Sequence, residues 1–323
     1  MIRMPQGIFV VWAGLFLVLS CSETSKTSVI APDVHTQIAP DVPIVVEPAP
    51  PVMARLSSAQ YTFAVLDLFG DTIVPPASLE PDTEVGGLFS VGSAVASLSP
   101  RGVELYEDAA QSVAAQVAAD PAVLNSLHSC VEDGDASCFS QFAGRVGRRI
   151  WRRPLTDDEV ETLVELGDRA SEVLETVEAG YQFMLLALLQ SPNFLYRLET
   201  GEADPAGEGH NRYTNAEMAS RLSFFLWNSI PDEALLDAAD AGELVTDEGV
   251  SEQVARMMES PKVRRAVRNF FTEWLALHEL DHISKDPNVF KHSSADVGEM
   301  AREETLLLAE HLIFEKDANI REF

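Results

Sequence analysis

Three capping boxes constrain this chain more than any other feature. Ser57-x-x-Gln60, Thr156-x-x-Glu159 and Thr214-x-x-Glu217 each set a hydroxyl residue three positions ahead of a glutamine or glutamate. In that pattern both side chains satisfy backbone N–H groups at a helix start. Behind Ser57, the residues Tyr61, Val65, Leu66 and Leu68 form the predicted buried side of a helix that Gly70 ends. Behind Thr214, Leu222, Phe225, Leu226 and Trp227 are expected in a core. Between them, Phe139, Phe142, Val146 and Ile150 recur at helical spacing until Pro154 closes the pattern. Pro231 and Pro261 read as first-turn residues of two more helices, with Ser260 capping the second. The run from Phe183 to Leu189 is apolar nearly all round, as in a helix at the middle of a bundle, and is too short to cross a bilayer. Sustained alternation of apolar and polar residues is absent, so the expected fold class is all-α: a helical bundle array of three small domains.

A targeting segment and a tether precede that array. Arg3, the apolar stretch Ile8–Ser20 and the sequence Val18-Leu19-Ser20-Cys21 read as a lipoprotein signal peptide over residues 1–21, with lipid attached at Cys21. An uncleaved anchor, or an ordinary signal peptide with an incidental Cys21, is the alternative. Ser22 stands where an aspartate would argue for inner-membrane retention, so an outer-membrane or periplasmic lipoprotein of a Gram-negative-type cell is expected. Residues 22–54 are rich in Pro, Ser and Thr and repeat IAPDV at Ile30–Val34 and Ile38–Val42, the composition of an extended spacer. The predicted domains follow at 55–125 (helix, loop, helix), 126–202 and 211–323. With 51 acidic against 23 basic residues and a formal net charge of -28, the chain repels phosphate backbones, and nucleic acid is excluded as a partner class. The expected partners are a membrane, through the lipid, and a redox or envelope protein.

Cys130 and Cys138 flank the acidic turn VEDGDAS, and in an oxidising compartment they are expected to form a disulfide. A zinc knuckle would need two further ligands, and only His128 is local. Neither cysteine lies in a haem-attachment motif, and no cofactor is expected in this chain. Arg145, Arg148, Arg149, Arg152 and Arg153 form the one concentrated basic patch. It is either an anion site or, as favoured here, a set of helix-end cations paired with carboxylates. His278-Glu279-Leu280-Asp281-His282 has the H-E-x-x-H spacing of zinc peptidases, with Glu303, Glu304 or His311 in range as a third ligand. Against a metal site stand the charge at Asp281 and a helix already accounted for by a broad buried face of Val263, Val267, Phe270, Phe271, Trp274, Leu275 and Leu277. On that reading the two imidazoles are polar groups at a helix C-terminus, and no catalytic or metal residue is assigned. A nucleophile elbow, a phosphate-binding glycine loop and a dinucleotide fingerprint are all missing from the sequence.

Several of these segments, taken in order, resemble a known family. RLSSAQYTFAVLDLFG with LSPRGVELYEDAAQSVAAQV, then RRIWRRPLTDDEV with LLQSPNFLYRLE, then NAEMASRLSFFLWNSIPDEALL with PKVRRAVRNFFTEWLAL and REETLLLAEHLI are similar to the planctomycete-type multidomain (PSD) proteins of unknown function. The resemblance covers roughly Arg55 to Phe323. It implies export and, in family members, a continuation into a planctomycete cytochrome c domain. With its end at ANIREF inside the third unit, this chain is similar to a truncated member. The implied function is a non-enzymatic scaffold or accessory module associated with a cytochrome-c-like redox domain, with a zinc hydrolase using residues 278–282 as the alternative.

Overall fold

The structure, a computed structural model, describes residues 52–321 apart from 96, 134–135, 206, 208–209, 284, 287, 292–293, 295, 317–318 and 320. The expected signal peptide, Cys21 and most of the expected tether lie outside the described residues. The described residues form one compact unit, predominantly all-α.

In chain order the elements are β1 (Val52–Arg55), α1 (Ser58–Phe69), α2 (Phe89–Gly92), α3 (Pro100–Ala119), α4 (Pro121–Leu127), α5 (Phe139–Trp151), α6 (Asp157–Leu174), α7 (Val177–Gln190) and α8 (Pro192–Leu195). They continue with β2 (Tyr196–Glu199), β3 (Glu202–Ala203), β4 (Asn211–Arg212), α9 (Asn215–Trp227), α10 (Glu233–Asp240), α11 (Asp247–Met258), α12 (Lys262–Trp274) and α13 (Val297–Glu310). All three capping boxes form as the sequence predicts, with reciprocal bonds at Ser57/Gln60, Thr156/Glu159 and Thr214/Glu217. Asp120 does more than stop α3, because its carboxylate accepts from Ala122 and Val123 and so starts α4. Pro231 precedes the cap Asp232 of α10 and is not in its first turn.

Two short antiparallel ladders interrupt the helices. Val52–Arg55 pairs with Tyr196–Glu199 in the register Val52↔Glu199 to Arg55↔Tyr196, and Glu202–Ala203 pairs with Asn211–Arg212. Four residues are too few for the alternation that identifies a strand in sequence.

The main core is continuous across residues 56–230. It contains Tyr61 and Val65 of α1, Val113 of α3, Phe139 and Phe142 of α5, and Met184 and Leu188 of α7, and it reaches Phe224 and Ile230. The helix α7 is central, packed by α3, α5 and α6. Its closeness to α6 depends on Gly180, where a Cβ would meet Phe139 Cζ at 2.2 Å and Ser171 Oγ at 2.4 Å. A second core gathers Trp227, Leu235, Leu244, Met257 and Val263. A third joins Phe271, Leu277, Leu306 and Ala309.

Two predicted core sets need correction. Phe225 is 79% exposed, and Phe224 takes the inward place beside Trp227. On α12, Phe270 and Trp274 are each 52% exposed and Leu275 is also on the surface. The buried face of α12 is therefore narrower, carried by Val263, Val267 and Phe271. The first error chose the wrong one of two adjacent phenylalanines and the second counted every large apolar residue of the run as inward, although two adjacent residues on a helix point about 100° apart.

Candidate functional site

Two places carry the residues that the sequence singles out. The first is HELDH. The helix α12 ends at Trp274, Ala276 takes the left-handed conformation at φ 50°, and Leu277–His282 forms a 3₁₀ turn. The motif therefore lies beyond the helix and not on its last turn, which corrects the expectation of helix-end imidazoles. On a 3₁₀ turn, positions i and i+4 diverge by roughly 120°, whereas on an α-helix they share a face. The His278 ring packs edge-on against Phe89 at 5.0 Å, its Nδ1 is buried without a hydrogen-bond partner, and its Nε2 lies 3.5 Å from Glu279. His282 is exposed. The turn is held from the other side by Gly298, where a Cβ would meet the Leu280 carbonyl oxygen at 1.9 Å.

Two of the three residues considered as a third ligand are engaged elsewhere. Glu303 pairs with Arg268 and the His311 Nδ1 lies 2.7 Å from Glu315, while Glu304, the remaining candidate, is exposed; Asp281, whose charge counted against a metal, pairs with Arg302. Among the described residues, the group of three potential ligand side chains within mutual reach is His128, Cys130 and Cys138, which includes neither histidine of the motif. We expect the variant H278A/H282A, purified as the full chain, to match the parent in zinc content, with neither holding one equivalent. Stoichiometric zinc in the parent that disappears in the variant, read by elemental analysis, would make 278–282 a metal centre.

The second place is the Cys130–Cys138 disulfide, with Cα atoms 5.6 Å apart. It bridges two short 3₁₀ turns, Ser129–Asp133 and Ala136–Cys138, between α4 and α5.

The arginine patch resolves into two different roles. Arg148 reaches Glu233, Asp237 and Asp240 on α10 at 3.0, 2.7 and 2.7 Å, and Arg153 forks onto Glu159. These are the predicted carboxylate pairs. Arg152 is different: it is 4% exposed, sits at the C-cap of α5 with φ 60°, and has no carboxylate. Its Nε donates to Ser220 Oγ at 3.0 Å, and its two terminal nitrogens donate to the carbonyls of Ile150, Phe194, Asn193 and Tyr196 at 2.7–3.3 Å. Burial pushes the guanidinium down to about 9, helped by the charges of Arg197 and Arg153. It stays a cation at neutral pH.

Sequence reasoning missed three other charges, two buried (Arg55 and Glu273) and one half-buried (Asp67). Arg55 donates to Tyr106 Oη at 2.6 Å, to the carbonyls of Glu80 and Pro81, and to Asp82. Asp67 on α1 accepts from Arg265 on α12 at 3.2 and 2.7 Å and lies 3.1 Å from Lys262. Glu273, 6% exposed, accepts from the Ser90 amide and hydroxyl and from Asn269. A run of arginines is visible in a sequence, but a lone Asp or Glu whose partner lies 183 or 198 positions away leaves no local signal.

A cleft of about 530 Å³ between α1 and residues 76–79 is lined by Ser58, Thr62, Phe63 and Leu79 among others, none of its lining residues being titratable.

Three family models match the chain in succession. They are PSD3, protein of unknown function (DUF1587), at residues 54–119; PSD5, protein of unknown function (DUF1595), at 138–199; and PSD4, protein of unknown function (DUF1592), at 213–323. The chain belongs to the planctomycete-type PSD multidomain families. No curated protein and no solved structure matches it. In these terms, Asp67 joins the PSD3 segment to PSD4, Arg152 joins PSD5 to PSD4, and Glu273 brings a PSD4 helix onto the loop of PSD3.

Proposed function

We propose that this PSD chain is an exported lipoprotein held by lipid on Cys21, and that its helical body is a non-enzymatic scaffold or accessory module for a cytochrome-c-like redox domain. The observation that carries the reading is the use made of its buried and half-buried polar groups. Arg55, Asp67, Arg152 and Glu273 each join separate parts of the chain, so the groups whose surroundings could tune them for catalysis are occupied in assembly. Burial of this kind suits a body whose task is to hold a fixed shape. The cleft beside α1 adds no acid, base or nucleophile outside serine and threonine hydroxyls.

Two measurements test the proposal. With Cys21→Ala, the chain is expected to lose palmitate labelling, because the thiol that carries the lipid is gone. An unlabelled parent, or a variant that still takes the label, would remove the lipid anchor from the reading. Association is read by reversible cross-linking in the native cell, affinity purification of the full chain and staining of the co-purified polypeptides for covalent haem. Haem-bearing polypeptides are expected, and their absence would leave a scaffold without the redox connection.

A further inference from the structure

The disulfide has a third donor beside it. The ligand atoms of His128, Cys130 and Cys138 lie within 4.8 Å of one another. Two donors bound to one ion at about 2.0–2.3 Å stand about 3.5–4 Å apart, so this trio needs only local movement once the S–S bond is open. We propose that reduction of Cys130–Cys138 converts it, with His128, into a three-coordinate site for a soft monovalent ion, Cu(I). The proposal does not depend on the scaffold reading.

Three features prepare the site. His128 is the C-cap residue of α4, and its Nδ1 accepts the Cys130 N–H at 3.2 Å. The ring therefore carries its proton on Nε2 and turns Nδ1 toward the cysteine loop, so that ligation at Nδ1 exchanges one backbone hydrogen bond for the metal. Cys138 is the N-cap residue of α5, and its side chain makes no capping bond. A thiolate there lies at the N-terminal, positive end of a helix of 13 residues, which favours the ionised sulfur. The two sulfurs also differ in access, because Cys138 is 2% exposed while Cys130 is only partly buried.

Access and helix field together set the direction of reduction. A thiolate of a dithiol reductant attacks Cys130 Sγ, the S–S bond breaks, and Cys138 leaves as the thiolate at the α5 N-terminus. The second reductant thiol then displaces Cys130, so the reductant becomes a disulfide and its two protons pass to the protein sulfurs. Binding of Cu(I) releases those protons to solvent and forms two S–Cu bonds and one N–Cu bond. Two thiolates and an imidazole suit this ion, which three donors satisfy, whereas a structural zinc site calls for four.

The test uses the full chain. It is reduced anaerobically with a phosphine, which water converts to the phosphine oxide, freed of reagent and titrated with Cu(I) against bicinchoninate. One equivalent is expected in the reduced chain and none in the oxidised chain. Cys138→Ser should abolish binding. His128→Ala should weaken it by at least about tenfold while two free thiols and the far-ultraviolet circular dichroism stay unchanged. The proposal is overturned by equal binding in the oxidised chain or in Cys138→Ser, by an unaffected His128→Ala, or by preference for Zn(II). Loss of the helical signal on reduction alone would overturn it too.

Discussion

Arg152→Met is expected to destabilise the body by about 4 kcal/mol or more, read as a large fall in the urea midpoint with the transition monitored by circular dichroism. Methionine matches much of the arginine's length but offers no donor to the four carbonyls and the Ser220 hydroxyl that surround the guanidinium. Each acceptor left buried without a partner costs about 1–3 kcal/mol. Some of that loss is offset because no buried charge remains to be desolvated. Arg152→Lys should recover only part of the stability, since an ammonium has three donors and no planar fork. A midpoint for Arg152→Met within error of the parent would show that these bonds are replaced by water at little cost.

Asp67→Asn should cost about 3 kcal/mol and should also remove a pH dependence. Burial alone would raise the Asp67 carboxyl; the Arg265 hydrogen bonds and the Lys262 and Arg265 charges outweigh it and hold the group below its usual 3.8. A carboxyl depressed in the folded state adds stability that is fully present above its unfolded pKa and is lost as pH falls through the folded value. The parent should therefore lose this contribution below about pH 4, whereas the asparagine variant, already without it, should show a shallower acid slope. Parallel slopes for the two chains in urea titrations between neutral and acid pH would rule out Asp67 as the source.

The parts of the molecule that were legible in the sequence are those written in neighbouring residues. Ser57, Thr156 and Thr214 announce their helices because capping is a contact between residues three apart. The stripe Phe139, Phe142, Val146 and Ile150 is wholly buried for the same reason, and the pairing of Cys130 with Cys138 spans only 8 positions. What escaped was decided over long separations or by the direction of one side chain. The left-handed turn at Ala276 carries no glycine to mark it, yet it moves His278 and His282 off the helix. Likewise, Arg152 was grouped with surface arginines because composition records charge and not depth.

The ladder between β1 and β2 has a mechanical consequence. A pull on the chain upstream of Val52 enters the body through β1, whose main chain is bonded to residues 196–199 near the middle of the sequence. Force therefore bypasses α1 and is delivered where PSD5 ends, on the side of the molecule that Arg152 fastens through the Tyr196 carbonyl. At the last pair of the ladder, the Arg55 side chain is fixed to Tyr106 and Asp82 and acts as a stop at the end of the strand. An anchored copy of this protein would yield first at four pairs of strand residues, leaving the helical core under no tension until they part.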